Sequence, residues 1–315
     1  MTTASEHIHN YAPLGVLGAL VLAVGLYDET FFTGSNLLTV AADTMTLFLM
    51  ASGVTFVIMI GGIDLSIQSV ASMTSCILAV GLPHWAFGAV VLAILGGVGA
   101  GLLGGLVSTR LRIPSFIATL AVSGVVTSAG FWFSTERSIN ISAADSARNL
   151  AWAVGDSGGV PNEIWLGLVF LALLSALLSI TPFGRLVRGV GSQERAVMAS
   201  GINVDRTKIA AYALSGTMAG IAGIVMAARL GSGSPTLANE FLLPAIACIV
   251  VGGTAITGGV GAIWRTFVGA LIIQVVRVGM TFVGISAFAQ QIVFGVILVA
   301  AVAITMDRSK IAIIK

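Results

Sequence analysis

Long apolar stretches separated by short polar ones run along almost the whole of this chain. A helix needs about 20 mostly apolar residues to cross the hydrocarbon core of a bilayer. By that rule the pattern predicts one all-α polytopic membrane domain over 1–315, with ten spans. The spans are predicted near 14–27, 37–60, 65–82, 85–108, 114–134, 163–180, 208–228, 242–257, 262–284 and 286–305.

The composition supports this interpretation. Hydrophobic residues make up 57% of the chain and charged residues 9%, whereas a soluble domain carries about 25% charged residues. There is too little polar surface to cover a globule in water, and a net charge of +2 gives no reason to expect nucleic acid as a partner. Cys76 and Cys248 both lie in apolar runs, so we expect small core residues rather than a disulfide or a metal site.

The positions of the basic residues predict an orientation. With ten spans and the N-terminus in the cytoplasm, eleven basic residues face inward and three face outward, while Arg277 lies within the ninth span. This asymmetry is what the positive-inside rule requires, so both termini are predicted to be cytoplasmic. The inward group is Arg110, Arg112, Arg185, Arg188, Arg195, Arg206, Lys208, Arg265, Arg308, Lys310 and Lys315, and the outward group is Arg137, Arg148 and Arg229.

A charged segment over 182–207 separates the apolar sixth and seventh spans. Ser192 is expected to cap a short helix that begins at Gln193, and Gly201 to end it in the left-handed conformation. Two interpretations follow from this segment. It is either an ordinary loop helix held near lipid headgroups by arginines or a helix on which a cytosolic partner docks.

Charged residues within the predicted spans are few, so each one is a candidate functional residue. Asp64 follows the paired glycines of Gly61-Gly62 and precedes Ser66. Asp64 or Ser66 either caps the third predicted helix, or Asp64 is a ligand for an ion or a substrate. Arg277 either extends to the membrane surface or faces a water-filled path.

Glycine is abundant in the spans and falls into helical register in two of them. Residues four apart share a helix face, and the missing side chains let two backbones approach closely, so we expect tight helix packing there. The residues concerned are Gly97, Gly101, Gly105, Gly216 and Gly220. The segment 60–66 also resembles 251–257, which indicates either an internal repeat of the kind common in transporters or chance agreement.

The chain lacks the motifs of several enzyme classes. It has no phosphate-binding loop, and its first lysine is Lys208, so this chain is not expected to bind ATP by such a loop. The only histidines, His7, His9 and His84, are not in zinc spacing with cysteines or carboxylates, and no serine nucleophile motif occurs. We therefore expect no catalytic residues, no metal and no cofactor.

Several motifs of this chain resemble those of a known protein family. The stretch from Gly61 to Ser66 resembles the signature of permease subunits of bacterial ATP-binding-cassette sugar importers of the ribose/xylose/galactose type, in the branched-chain amino acid/sugar permease superfamily. The similarity runs from the second span to Asp307-Arg308, with Gln68 and Trp264 where small residues are expected. Three further stretches agree, namely 109–120, 183–185 with parts of 191–202, and 249–255 with 258–261.

The resemblance implies a type II importer permease fold and a division of labour. Such permeases pair with a second permease chain in the lipid of the bacterial inner membrane, bind cytosolic ATPase subunits, and receive a monosaccharide or related polyol from a periplasmic or extracellular binding protein. The residues implied in coupling to the ATPase are Gly191, Ser192, Glu194, Arg195, Ala196, Ser200 and Gly201. The residues implied in the pathway or its gate are Asp64, Ser66, Gln68, Phe116, Thr254 and Arg277.

Two alternatives from other classes stay open on the sequence. An ion-gradient-driven secondary transporter of a small polar solute would need carboxylates inside the membrane, and Asp64 is the best candidate. A membrane-embedded enzyme would need a catalytic set, which the sequence does not display.

Overall fold

The computed structural model describes residues 3–305 of the chain, and the side chains of 12–303. This part of the chain folds into thirteen α-helices, one 3-10 helix and four two-residue strands, as the prediction of an all-α protein requires. The helices are α1 (Thr3–Tyr27), α2 (Gly34–Met59), α3 (Ile67–Trp85), α4 (Phe87–Arg110), α5 (Ser115–Ser134), α6 (Ala143–Asn149), α7 (Ala151–Val154), α8 (Asn162–Ile180), α9 (Pro182–Ala199), α10 (Val204–Leu230), α11 (Leu242–Val251), α12 (Ile263–Phe282) and α13 (Ala287–Thr305). The 3-10 helix is Glu29–Phe32, and the strands are β1 (Ile139–Asn140), β2 (Asp156–Ser157), β3 (Val160–Pro161) and β4 (Ser232–Gly233).

A helix lies over each of the ten segments predicted from hydropathy. Six of these helices, α2, α4, α5, α8, α10 and α12, are long and apolar enough to cross a membrane. The eighth segment, 242–257, contains only the ten-residue helix α11, which is about 15 Å long. The helix stops early because Gly253 takes a left-handed conformation, with φ of +87°, and turns the chain away.

The centre of the bundle is formed by α2 and α10, which are buried along most of their length. Helix α10 packs against α2, α3 and α4. A Cβ on Gly97 would overlap the carbonyl oxygen of Gly216, and one on Gly101 would overlap that of Tyr212. The predicted glycine packing is therefore confirmed between α4 and α10. Cys76 and Cys248 are buried free thiols.

The connections between helices gather at two opposite faces of the bundle. The first, which we name the α9 face, contains α9, the α2–α3 connector (60–66), the α4–α5 loop (111–114) and the α11–α12 loop (252–262). The second, which we name the hairpin face, contains α6, α7 and both pairs of short antiparallel strands, β1 with β4 and β2 with β3. The α9 face is the one that the positive-inside rule predicts to be cytoplasmic.

Candidate functional site

The α2–α3 connector begins with a sharp turn at the end of α2. Gly61 has a φ of +80°. Its N–H donates to the carbonyl of Ile58, and the N–H of Gly62 donates to the carbonyl of Val57, each at a distance of 2.9 Å. These two bonds form a Schellman motif, in which a left-handed glycine ends a helix. The turn sends the chain back into the bundle toward Asp64.

Asp64 is buried, with 1% of its surface exposed, and both of its carboxylate oxygens accept hydrogen bonds. Oδ1 accepts from the backbone N–H of Ser66 at 2.9 Å and from its hydroxyl at 2.6 Å. Oδ2 accepts from the hydroxyl of Ser215, on α10, at 2.8 Å. Asp64 therefore fixes the turn before α3 and also joins the connector to α10. Ser66, the N-cap residue of α3, makes no side-chain cap bond.

Two hydroxyls of α5 hold the same connector from its other side. The backbone N–H of Ile63 donates to the hydroxyl of Ser115 at 3.0 Å, and that of Leu65 donates to the hydroxyl of Thr119 at 3.1 Å. The connector is thus bonded to α5 and α10 at once. Since buried polar groups are costly to leave unpaired, these bonds fix its backbone in one path.

The internal similarity between 60–66 and 251–257 has a structural counterpart. At the end of α11, the N–H of Gly253 donates to Val250 at 2.9 Å and that of Thr254 donates to Ile249 at 3.0 Å. This is the same Schellman motif as at Gly61. The equivalent glycines are Gly61 and Gly253, one residue away from the alignment that the sequence suggested.

Helix α9 contains the predicted docking segment, but its break is not where the sequence predicted it. The helix begins at Pro182, where the side chain of Thr181 accepts a hydrogen bond from Gly184. It is interrupted at Gln193, whose backbone is extended with φ of −160° and ψ of 79°. The expectation that Ser192 caps a helix beginning at Gln193 is wrong, since Gln193 is itself the break and the described residues include no cap bond to the Ser192 hydroxyl.

The end of the docking segment agrees with the sequence analysis. Gly201 has a φ of +79°, and its N–H donates to the carbonyl of Met198 at 3.0 Å. A left-handed glycine directly after a helix is the expected stop signal. The side chain of Asn203 then caps α10 by accepting from the N–H of Arg206 at 3.1 Å. The segment after Gln193 is therefore a short helix with a turn fixed at each end.

The break in α9 lies against two other backbones, in a cluster that we name the glycine junction (Met59, Gly191, Gly258 and Gly259). The N–H of Gly259 donates to the carbonyl of Met59 at 2.8 Å. A Cβ added to Gly191 would overlap that same carbonyl and also the backbone nitrogen of Gly259. The α2 terminus, the α9 break and the α11–α12 loop thus meet backbone to backbone, without side chains between them.

The remaining residues predicted to couple lie on α9 and in the turn that ends it. Glu194, at the start of the second α9 segment, pairs with Lys208 of α10, with 2.7 Å between Oε1 and Nζ. Five of the other residues predicted to couple are exposed, namely Ser192, Arg195, Ala196, Ser200 and Gly201. This exposure leaves the outer surface of the segment free for a partner.

The structure does not bring the six predicted pathway residues into one cluster. Asp64 and Ser66 are bonded to each other. Thr254 is 1% exposed, and its hydroxyl has no hydrogen-bond partner among the described residues. Gln68 is half-buried in the first turn of α3, and Phe116 is 48% exposed at the start of α5.

Arg277 lies toward the hairpin face, away from the other predicted pathway residues. Its guanidinium carbon is 5.0 Å from the ring centre of Phe241 and 5.5 Å from that of Phe294. Nearby, Asp43 pairs with Arg229 at 2.6 Å and accepts from Gln274 at 3.1 Å. Arg277 is therefore packed between aromatic rings, beside an ionic cluster that joins α2, α10 and α12.

The sequence analysis missed the residues that complete these contacts. Ser215 and Thr119 are each one of several hydroxyls in otherwise apolar helices, and Met59 contributes only its carbonyl. A hydroxyl among glycines and alanines, as at Ser215 beside Gly216, is a signal that could have been followed. Nothing in the spacing tells which helix faces Asp64, however, so the pairing needed the fold.

Comparison with known proteins gives a consistent assignment. Residues 36–302 match the family model described as branched-chain amino acid transport system / permease component. The chain is 36% identical to the ribose import permease protein RbsC of Escherichia coli K12 over 287 residues, which cover 90% of this chain and 89% of the relative. It is 33% identical to the Bacillus subtilis protein of that name, over 99% of this chain and 98% of the relative. It is 32% identical to the L-arabinose transport system permease protein AraH of E. coli K12, over 95% of this chain and 90% of the relative. The chain therefore belongs to the branched-chain amino acid transport system / permease component family.

Proposed function

We propose that this chain is the transmembrane subunit of an ATP-binding-cassette importer that moves a monosaccharide or a related polyol into the cytoplasm. The similarity to ribose and L-arabinose permeases over nine-tenths of the chain supports a sugar as the substrate class. The energy comes from separate ATPase subunits, and transport proceeds by alternating access. No residue of this chain is assigned a catalytic role.

The glycine junction is the observation that carries the coupling part of the proposal. The exposed segment after Gln193 is the surface on which the ATPase docks. Because Gly191 touches the backbones of Met59 and Gly259 directly, a movement of α9 is passed to the end of α2 and to the α11–α12 loop without flexible side chains in between. The end of α2 continues into the connector that holds Asp64, and the connector is bonded to α5 and α10.

The proposal includes the surroundings of the subunit. Two permease chains pair in the inner membrane, a periplasmic or extracellular sugar-binding protein delivers the substrate at the hairpin face, and both termini and the α9 face lie in the cytoplasm. The apolar exposed side chains of α4 and α5, such as Leu95, Leu120 and Val125, face lipid or the second permease chain.

Labelling of single-cysteine variants tests the orientation. Cysteines near Ser200 and Lys310 are expected to resist an impermeant thiol reagent added to the outside of intact cells, whereas one at the exposed Asp156 of the hairpin face reacts. Labelling of the first two from outside would show that the proposed orientation is wrong.

Reconstitution tests the transport proposal itself. Proteoliposomes that contain this chain and its partner ATPase are expected to accumulate radiolabelled sugar only when ATP and the cognate binding protein are present. D-ribose, L-arabinose, D-xylose and D-galactose are the probes. Uptake by this chain alone, driven by a proton gradient, would instead support the ion-driven alternative.

A further inference from the structure

Glu163, in the first turn of α8, is a buried acidic residue to which the proposed function gives no role. It is only 5% exposed, and its Oε2 atom has no hydrogen-bond partner among the described residues. The positive end of the α8 dipole favours a negative charge at this position. A buried carboxylate nevertheless needs hydrogen bonds or a counter-ion to offset its desolvation. Glu163 therefore has an acceptor oxygen left for a positively charged partner.

Glu163 lines a cleft at the hairpin face. The cleft has a volume of about 390 Å³ and lies between the start of α2, the β2–β3 hairpin, the start of α8 and the outer end of α10. The charged residues that line it are Asp156, Glu163 and Arg229. Arg229 is thus the basic residue that shares the cleft with the unpartnered carboxylate.

Arg229 is at present paired with a different carboxylate. Its Nη1 atom lies 2.6 Å from Oδ1 of Asp43, on α2. The Arg229 side chain is 33% exposed, and exposed side chains change rotamer within nanoseconds. The guanidinium can therefore leave Asp43 without unpacking the helices around it.

Asp43 has other partners when Arg229 leaves. Its Oδ2 atom accepts a hydrogen bond from Nε2 of Gln274 at 3.1 Å. Arg277, one turn further along α12, is close enough for its charge to attract Asp43. Asp43 would thus keep a hydrogen bond and a nearby cation, whereas Oε2 of Glu163 has no hydrogen bond among the described residues.

The other carboxylate of the cleft has less need of a cation. Asp156 is exposed, and its Oδ1 atom accepts from the backbone N–H of Gly159 at 2.8 Å. Water solvates an exposed carboxylate, so the gain from an added ion pair there is small. Of the two acidic residues that line the cleft, Glu163 gains more from Arg229.

From these contacts we propose that Glu163 is a second counter-ion for Arg229, and that Arg229 exchanges between Asp43 and Glu163. In the present arrangement the ion pair joins α10 to α2. After the exchange it joins α10 to α8, and the guanidinium lies inside the cleft. One ion pair is broken and one is formed, so the outer end of α10 is held in both arrangements, by a different neighbour in each.

A double-mutant cycle on the unfolding temperature tests the exchange. Asp43→Asn and Glu163→Gln each keep the size of the side chain, and each single variant leaves Arg229 one of the two carboxylates. The double variant leaves it neither, so its fall in unfolding temperature is expected to exceed the sum of the two single falls. Asp43→Asn combined with Asp205→Asn, at the opposite α9 face, is the control and should be additive.

Labelling of a cysteine in the cleft detects the movement of Arg229 itself. Thr39 is exposed and lines the cleft, whereas Ala147, on α6, is exposed outside it. In nanodiscs that hold the full chain, Asp43→Asn is expected to slow maleimide labelling of Thr39→Cys severalfold, because Arg229 then lies in the cleft. Adding Glu163→Gln should restore the rate, and Ala147→Cys should label equally in every background. Background labelling is low because the native thiols are fully buried, at Cys76 and Cys248.

The proposal is overturned if the cycle between Asp43 and Glu163 is additive, or if Asp43→Asn leaves the labelling of Thr39→Cys unchanged. It is also overturned if Asp156→Asn, in place of Glu163→Gln, restores the labelling rate. A rise in unfolding temperature with Ca²⁺ or Mg²⁺ that Glu163→Gln abolishes would show that the cleft binds an ion instead. These measurements use neither the ATPase nor a sugar, so their failure would leave the importer assignment unaffected.

Discussion

The two faces of this permease are held together by different kinds of contact. At the α9 face, Met59, Gly191 and Gly259 meet backbone to backbone. At the hairpin face, Asp43, Arg229 and Gln274 join three helices through long polar side chains. Backbone contacts tolerate no added atom and transmit displacement rigidly, whereas side chains can change rotamer and absorb it. On the proposed function, this difference favours mechanical coupling at the α9 face and adjustable cohesion at the hairpin face.

The largest effect that would test this difference between the two faces is expected from adding one methyl group to the glycine junction. In Gly191→Ala the new Cβ would overlap the carbonyl of Met59, which costs about 2 kcal/mol or more in overpacking. We expect at least a tenfold loss of ATPase stimulation, measured with purified permease and ATPase. Gly99→Ala, whose Cβ would meet no neighbour within 4 Å, is the matched control and should keep full stimulation.

The Asp64 contacts come next in expected size. Asp64→Ala leaves the buried donors of Ser66 and Ser215 unpaired, which costs about 2 kcal/mol. Asp64→Asn keeps one oxygen acceptor, and the Ser215 hydroxyl can rotate to accept from the new amide, so uptake and thermal stability should stay near wild type. Asp64→Ser retains the local turn but is too short to reach Ser215, and we expect an intermediate loss of stability.

Sugar uptake and unfolding temperature, measured across these three variants, separate structure from gating. If Asp64→Asn loses transport while its expression and stability match wild type, then the negative charge itself is required, and the structural role assigned to Asp64 is wrong.

The turn that ends the docking segment should give a smaller effect. Gly201→Val forces a β-branched residue to a φ of +79°, at a cost of roughly 1–2 kcal/mol, while its side chain would meet open space. We expect a severalfold loss of ATPase stimulation with normal insertion into the membrane. Gly201→Asn, which tolerates the left-handed conformation, should recover most of the activity; equal loss in both variants would show that the turn geometry is not the cause.

The smallest effect is expected at the hairpin face. The side chains of Asp43 and Arg229 are 36% and 33% exposed, and ion pairs with that much solvent access contribute about 1 kcal/mol or less. Asp43→Asn should lower the unfolding temperature slightly and leave ATPase stimulation unchanged. A loss of stimulation as large as that of Gly191→Ala would erase the difference between the two faces.

The sequence was informative where one residue type decides the local structure. The glycine rows of α4 and α10 predicted their close packing, and Gly201 predicted the end of the docking segment, because glycine alone favours those arrangements. The hydropathy of the chain predicted the all-α fold, because about 20 consecutive apolar residues are the length that a membrane-spanning helix needs.

The sequence was less informative where a residue's hydrogen-bond partner lies far along the chain. Asp64 and Ser215 are 151 positions apart, and no local pattern links them. The break at Gln193 was also missed, because any residue can adopt an extended conformation and no residue type marks it in the sequence. Helix α11 was predicted too long because apolar residues continue beyond the turn at Gly253.

Cross-linking tests the central claim, that the segment after Gln193 is where the ATPase docks, most directly. Arg195→Cys places a thiol on the exposed side of that segment, and Asp156→Cys places one on the hairpin face. In the assembled complex, a short thiol-to-amine cross-linker is expected to join the ATPase to the first variant and not to the second. Cross-linking from Asp156→Cys, or its absence from Arg195→Cys in an assembled complex, would contradict the account.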